Sequence, residues 1–178
     1  MSPALRHATW FSACLVAGGV LAWLAVRAQA VFAPVLLFPL GLGLALGMVL
    51  LAVRSYCIPL GRASVVAGAL LAATTLVVGQ HYLSYRAACT IAIERQSRVT
   101  QQAKGFAALT AAEMVKPPES FAAYMQSEAA RDHAIAGLTL RGPTVWAWWA
   151  LDALIIAAAS VAVTWRGVKG YNHDVALV

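Results

Sequence analysis

The apolar stretch GPTVWAWWALDALIIAAASVAVTWR (Gly142 to Arg166) carries one carboxylate, Asp152. Counted from Thr144 it lies about 12 Å into a helix at 1.5 Å per residue. A central aspartate costs about 2.5–3.5 kcal/mol to insert, because hydrocarbon supplies no solvation. Such a group can do two things. It can tether two helices by a hydrogen bond or ion pair, or it can exchange a proton or hold a solute. The groups that could meet it are His81, Gln80, Arg27 and Arg86. His81 ranks first, since imidazole can donate to a carboxylate in either charge state. Trp149, Asp152, Ile156 and Ala159 share one helix face by i+3/i+4 spacing, and that face should point inward. The aromatics Trp146, Trp148, Trp149, Tyr82 and Tyr85 suit a membrane–water boundary.

Other chemistries lack their residues. An intramembrane aspartyl protease needs two acids, and Asp152 stands alone in the apolar runs. A two-histidine haem needs a second ligand at the depth of His81, whereas His7, His133 and His173 lie outside those runs. G-x-S-G, H-E-x-x-H and P-loop patterns are absent, as is metal-type Cys/His spacing. The expectation is therefore a protein that is not an enzyme and has no cofactor or metal. Gly41-x-Gly43-x-x-x-Gly47 is a near miss to a dinucleotide fingerprint, but no strand precedes it. Glycines one turn apart, Gly43 and Gly47, instead let two membrane helices approach closely. Cys14, Cys57 and Cys89 form no framework: Cys57 and Cys89 flank one span of ~30 Å, far beyond disulfide reach.

The elements that must hold these groups follow from composition. Only 11% of the 178 residues are charged and 61% are hydrophobic, too few charges to coat a soluble core. Between Arg6 and Arg86 the ionised side chains are Arg27, Arg54 and Arg62. Apolar runs near the ~20 residues that cross a bilayer occur at about 8–27, 33–53, 63–85 and 144–165. The reading is an all-α, integral membrane four-helix bundle. Residues 1–86 hold three spans, 87–142 an extramembrane helical segment, and 143–178 the fourth span with a short tail. The net charge of +6 sits at span ends and has no aromatic-interleaved basic stripe, so nucleic acid is not the partner. FSAC (Phe11 to Cys14) lacks the apolar region that a lipoprotein signal needs. AQA (Ala28 to Ala30) resembles a signal-peptidase site, but Arg27 precedes it, so the first helix should stay uncleaved.

A short connection ending at Pro34 predicts the first two spans as a tight hairpin. RSYCIPLGR (Arg54 to Arg62), broken by Pro59 and Gly61, is the next turn. The third helix should run past Arg86 to about Lys104 or Gly105. TAAE (Thr110 to Glu113) matches a capping box that Pro117 and Pro118 soon interrupt. An amphipathic helix of about four turns is expected over Glu119–Ala134, with Phe121, Tyr124 and Met125 toward membrane or bundle and Gly137 ending it. The short loops place Arg6, Arg54, Arg62, Arg166 and Lys169 on one side and Arg27 on the other. The long segment carries Arg86, Arg95, Arg98 and Arg141. The short loops argue for both termini in the cytoplasm of a multi-pass protein, in the bacterial inner membrane.

The pattern W-x-x-W-x-x-[ED], following an exposed helix and a glycine turn, resembles a set of bacterial four-span membrane proteins of unassigned function. The matching positions are Tyr124, Gly137, Trp146, Trp149 and Asp152, and the likeness covers about a third of the chain. It implies no activity. The expected role is a non-catalytic accessory or scaffold component, partnered by lipid and by another membrane protein or a second copy. The alternative is a small oligomeric transporter or proton-coupled carrier built around Asp152 and His81. The two differ in one observable: a tether is dry and fully hydrogen-bonded, whereas a transport site is a polar cavity open to one side.

Overall fold

A computed structural model of the chain describes residues 2–29, 37–56, 60–102, 116–135 and 138–174. The Pro34 connection, Cys57, Pro59, the Gly105 helix end, the Thr110–Glu113 box and Gly137 lie outside the described residues. The fold is a helical bundle with four long apolar helices, and 88% of the described residues are helical. These are α1 (Pro3–Gln29), α2 (Leu37–Tyr56), α3 (Arg62–Gln102) and α5 (Pro143–Asp174). A short α4 (Phe121–Ala130) and a hairpin of β1 (His133–Ile135) with β2 (Leu138–Leu140) lie between α3 and α5.

The four long helices have apolar windows of mean hydropathy 1.7–2.0, enough to cross a membrane. No more than 33% of any window is buried inside the bundle. Large apolar side chains therefore face outward, among them Val16 (65% exposed), Met48 (60%) and Leu154 (65%). A water-facing surface of that kind would be an aggregation hazard; a lipid-facing one is ordinary. This is a multi-pass membrane protein.

Small residues decide which helices touch. On α3, Gly68 receives the Trp10 indole of α1, and Trp10 Nε1 donates to the Ser64 carbonyl at 2.9 Å. Two turns along α1, Gly18 lies so close to α3 that an added Cβ would stand 2.5 Å from the Ala72 carbonyl oxygen. On α2, Gly43 meets Ile156 and Ala159 of α5, and Gly47 meets Ser160 and Val163. Trp10, Cys14, Leu46, Leu50, Val65, Leu76 and Ile156 fill the centre between these seams. The neighbours around the bundle are thus α1–α3, α3–α5, α5–α2 and, through a smaller contact, α2–α1.

That order corrects the expected tight hairpin of the first two spans. The contact between α1 and α2 is smaller than those of α1 with α3 and of α2 with α5. The close seams form where glycines oppose small surfaces, and those lie on α3 and α5.

Helix α3 runs on as one piece to Gln102, well past the boundary tyrosines. Helix α4 begins at the N-cap Ser120, whose hydroxyl accepts from the Ala123 amide at 3.1 Å. It has 10 residues rather than the expected four turns to Ala134. The chain leaves helical geometry at Arg131 (φ −76°, ψ 157°) and enters an antiparallel ribbon pairing His133 with Leu140 and Ile135 with Leu138. The ribbon brings residues 141 and 142 back to the end of α4. Arg141 Nε donates to the Ala130 carbonyl (2.9 Å), Gly142 N to Ala129 (2.6 Å), and His133 Nε2 to Glu128 (2.7 Å). Carbonyls left open by the helix end are capped this way, by a returning strand rather than by a longer helix. Gly142 turns with φ +62°, a conformation that favours glycine, and α5 starts directly after it.

Candidate functional site in the membrane

Where α3 and α5 pass each other near the long-segment side, they do not close. Val77, Gln80, His81 and Ser84 recur at i, i+3, i+4 and i+7 on α3. Trp149, Asp152 and Ile156 recur at i, i+3 and i+7 on α5. These two faces line a cavity of about 120 Å3. One water needs roughly 10–15 Å3 on this measure, so several would fit. Ile156 is buried, and Leu46, Leu50 and Leu76 fill the core beyond it. The cavity is polar at its walls, and packed apolar core lies on its far side.

Two wall atoms lack protein partners. Asp152 Oδ1 and Gln80 Nε2 are both buried, and neither makes a hydrogen bond among the described residues. A buried donor or acceptor left unmade costs about 1–3 kcal/mol, more if it is charged. Here one strong acceptor and one donor line a single cavity with an imidazole and a hydroxyl. That set complements an occupant that donates to the carboxylate and accepts from the amide. The His81 ring packs on Trp149 (centroids 4.9 Å apart, tilted by 57°), and Trp149 meets the edge of Trp146 at 5.0 Å. The indoles hold the imidazole in place and wall the pocket, while Trp146 remains 46% exposed at the boundary.

Of the four groups expected around Asp152, the fold brings two. Gln80 and His81 share its cavity without a direct hydrogen bond to it. Arg27 does not line the cavity: its guanidinium stacks 4.2 Å from the Trp23 ring, one turn back on α1. The reason is the helix order, since α1 lies diagonally across from α5. Arg86 is exposed and likewise does not line the cavity. Ser84 was not singled out in the sequence, yet it lies i+3 from His81 and i+4 from Gln80. That spacing could have found it.

The boundary aromatics have a second role. Tyr82 and Tyr85 meet the Phe121 ring of α4 with centroids 6.0 and 5.8 Å apart, and Tyr85 meets Tyr124 at 5.6 Å. Met125 is buried as well. The apolar face of α4 is therefore docked on α3 a turn or less beyond the cavity. Ser160 and Thr164 are buried but satisfied within α5: Thr164 Oγ1 donates to the Ser160 carbonyl at 2.7 Å, and Ser160 Oγ to Ala157 at 3.0 Å. Among the described residues no three of His, Cys, Asp and Glu come together as a metal site would require.

No family model, curated protein or solved structure matches the chain.

Proposed function

We propose that this multi-pass membrane protein handles protons, or a small hydrogen-bonding solute, at the Asp152 pocket, as a small carrier or proton-conducting component. One observation carries the reading. The only carboxylate within the apolar parts of the spans is half-buried, and its Oδ1 is enclosed beside a polar cavity with no hydrogen-bond partner among the described residues. A tether would have spent that oxygen on a direct bond to Gln80 or His81. In this proposal Asp152 takes up and releases charge, His81 and Ser84 exchange hydrogen bonds with the occupant, and Gln80 orients it. Both termini lie in the cytoplasm and residues 87–142 outside, so the pocket belongs to the outer half of a bacterial inner membrane. Among the described residues the pocket ends at Ile156 and the packed core, and transport would require α3 and α5 to part beyond Ile156.

The test is proton flux. The full chain is reconstituted in liposomes holding a pH-sensitive dye, and a pH step is applied. The wild type should dissipate the gradient faster than protein-free liposomes. Asp152→Asn should fall to background with its helical circular dichroism and elution volume unchanged, and Asp152→Glu should retain part of the rate. Wild-type flux at background, or Asp152→Asn as fast as wild type, overturns the proposal.

A second reading, an accessory or scaffold component with a protein partner, is favoured by a different feature. Outside the membrane, α3 and α4 leave an open groove of about 680 Å3, lined by Ile91, Arg95, Tyr124, Ser127 and Arg131 among others. Ile91 is 49% exposed there. On this reading the groove seats a partner's segment and Asp152→Asn is silent.

A further inference from the structure

At the opposite end of the bundle from Asp152, the start of α3 and the end of α5 frame a shallow groove of about 440 Å3. Its walls are Ala63, Val66, Ala67 and Leu70 of α3 and Trp165 of α5, and its one charged lining residue is Arg62. We propose that this groove binds an anionic phospholipid, with the Arg62 guanidinium on the headgroup phosphate and an acyl chain along Ala63, Val66, Ala67 and Leu70.

Shape is the first argument. Ala63 and Ala67 lie one turn apart and are exposed, so the helix surface is hollow there between larger neighbours. The strip from residue 63 to residue 70 runs about 10 Å along the helix, within the depth of one leaflet. In a bilayer an apolar hollow on the outer surface is filled by hydrocarbon, and a persistent hollow selects a lipid that also binds at its mouth.

The mouth is the second argument. The Arg62 guanidinium carbon lies 5.9 Å from the centre of the Trp165 ring, close enough for a cation–π contact that holds it at headgroup level. Arginine matches phosphate oxygens in a bidentate fork and stays charged.

Charge is the third. Arg54 lies in the last turn of α2 on the same side, and its Nε is buried without a hydrogen-bond partner among the described residues; Arg166 follows Trp165. The carboxylates whose side chains are described, Glu94, Glu119, Glu128, Asp132 and Asp152, all lie toward the other end of the bundle. The local positive charge is thus met by no described acid, which favours a net-negative headgroup over a zwitterionic one. A lipid seated here bridges α3 and α5, the two helices that also wall the Asp152 cavity.

The experiment is native mass spectrometry of the full chain in mild non-ionic detergent, with equimolar phosphatidylglycerol and phosphatidylcholine. The wild type should retain phosphatidylglycerol with roughly fivefold preference, which corresponds to about 1 kcal/mol for one basic residue at the membrane surface. Arg62→Gln should bring the two lipids to parity. Ala67→Trp, at an exposed position that folding does not need, should lose both adducts. Phosphatidylglycerol should raise the Tm of the wild type and leave that of Arg62→Gln unmoved. Equal retention of the two lipids by the wild type, or wild-type phosphatidylglycerol retention in Arg62→Gln or Ala67→Trp, overturns the proposal. So does an Ala67→Trp variant that breaks an oligomer while keeping its lipid, which would assign the groove to a second copy.

Discussion

Two glycines of one helix should respond oppositely to the same methyl group. On α2, a Cβ added at Gly43 would sit 2.7 Å from Ala159 Cβ and 2.8 Å from the Ile156 carbonyl oxygen of α5. A Cβ added at Gly41 meets nothing within 4 Å. Backbone cannot yield as a flexible side chain would, so Gly43→Ala must push α2 away from α5 by roughly 0.6–0.7 Å to restore ordinary contact at 3.4 Å. Overpacking of this kind costs about 1–3 kcal/mol, and the higher helix propensity of alanine returns about 0.5–1 kcal/mol. The net expectation for Gly43→Ala is a loss of up to about 2.5 kcal/mol, centred near 1 kcal/mol, or a Tm lower by about 2–4 °C at that centre for a chain of this size. Gly41→Ala keeps only the propensity gain and should be neutral to about 1 kcal/mol more stable. Thermal unfolding in detergent, followed by circular dichroism, measures both. Gly47→Leu should be worse than Gly43→Ala, since Val163 Cβ already stands 2.7 Å from a Cβ at Gly47. Equal melting of Gly43→Ala and Gly41→Ala would refute the close α2–α5 seam.

Other expectations follow from single contacts. Trp10→Phe removes the donor to the Ser64 carbonyl and should cost about 1 kcal/mol in detergent unfolding, while Trp10→Ala, which empties a fully buried indole site, should cost about 3–5 kcal/mol. Phe121→Ala deletes the ring that bridges Tyr82 and Tyr85, and at about 0.5–1.5 kcal/mol per aromatic pair it should release α4. Faster amide exchange confined to residues 121–130 would show it. The hydrogen bond from Lys116 holds the Glu119 carboxyl below its usual pKa of 4.5, and the pair is exposed. A depressed carboxyl stabilises above its unfolded pKa and loses that contribution as pH falls through the folded one. NMR titration should therefore find Glu119 below the usual glutamate range and returned to it in Lys116→Ala.

Much of the fold was legible along the chain. The third helix was expected past Arg86 because no proline or glycine interrupts residues 87–102, and it runs to Gln102. The aromatic face of α4 was readable from Phe121, Tyr124 and Met125. Its length was not: the residues after Ala130 could continue a helix, but the ribbon from His133 to Leu140 won. The ribbon returns Arg141 and Gly142 to the open carbonyls of α4, a long-range bond that no local propensity encodes.

What the sequence determined by itself is that four helices are long and apolar enough to span, because crossing hydrocarbon is a one-dimensional demand for about 20 apolar residues. It also determined that Asp152 would be exceptional, since a charge in oil is costly in any fold. Which groups surround that acid was decided only by tertiary structure. Arg27, Gln80, His81 and Arg86 all have plausible depth, and depth is as far as a span-by-span reading reaches. Glycine seams place α1 against α3 and α2 against α5, which puts α1 across the bundle from α5 and leaves Arg27 on Trp23. The same packing leaves a gap between α3 and α5 at one level. There Asp152 lies beside Gln80 and His81 without bonding either, because steric fit between backbones is set before a single polar contact can draw two helices together.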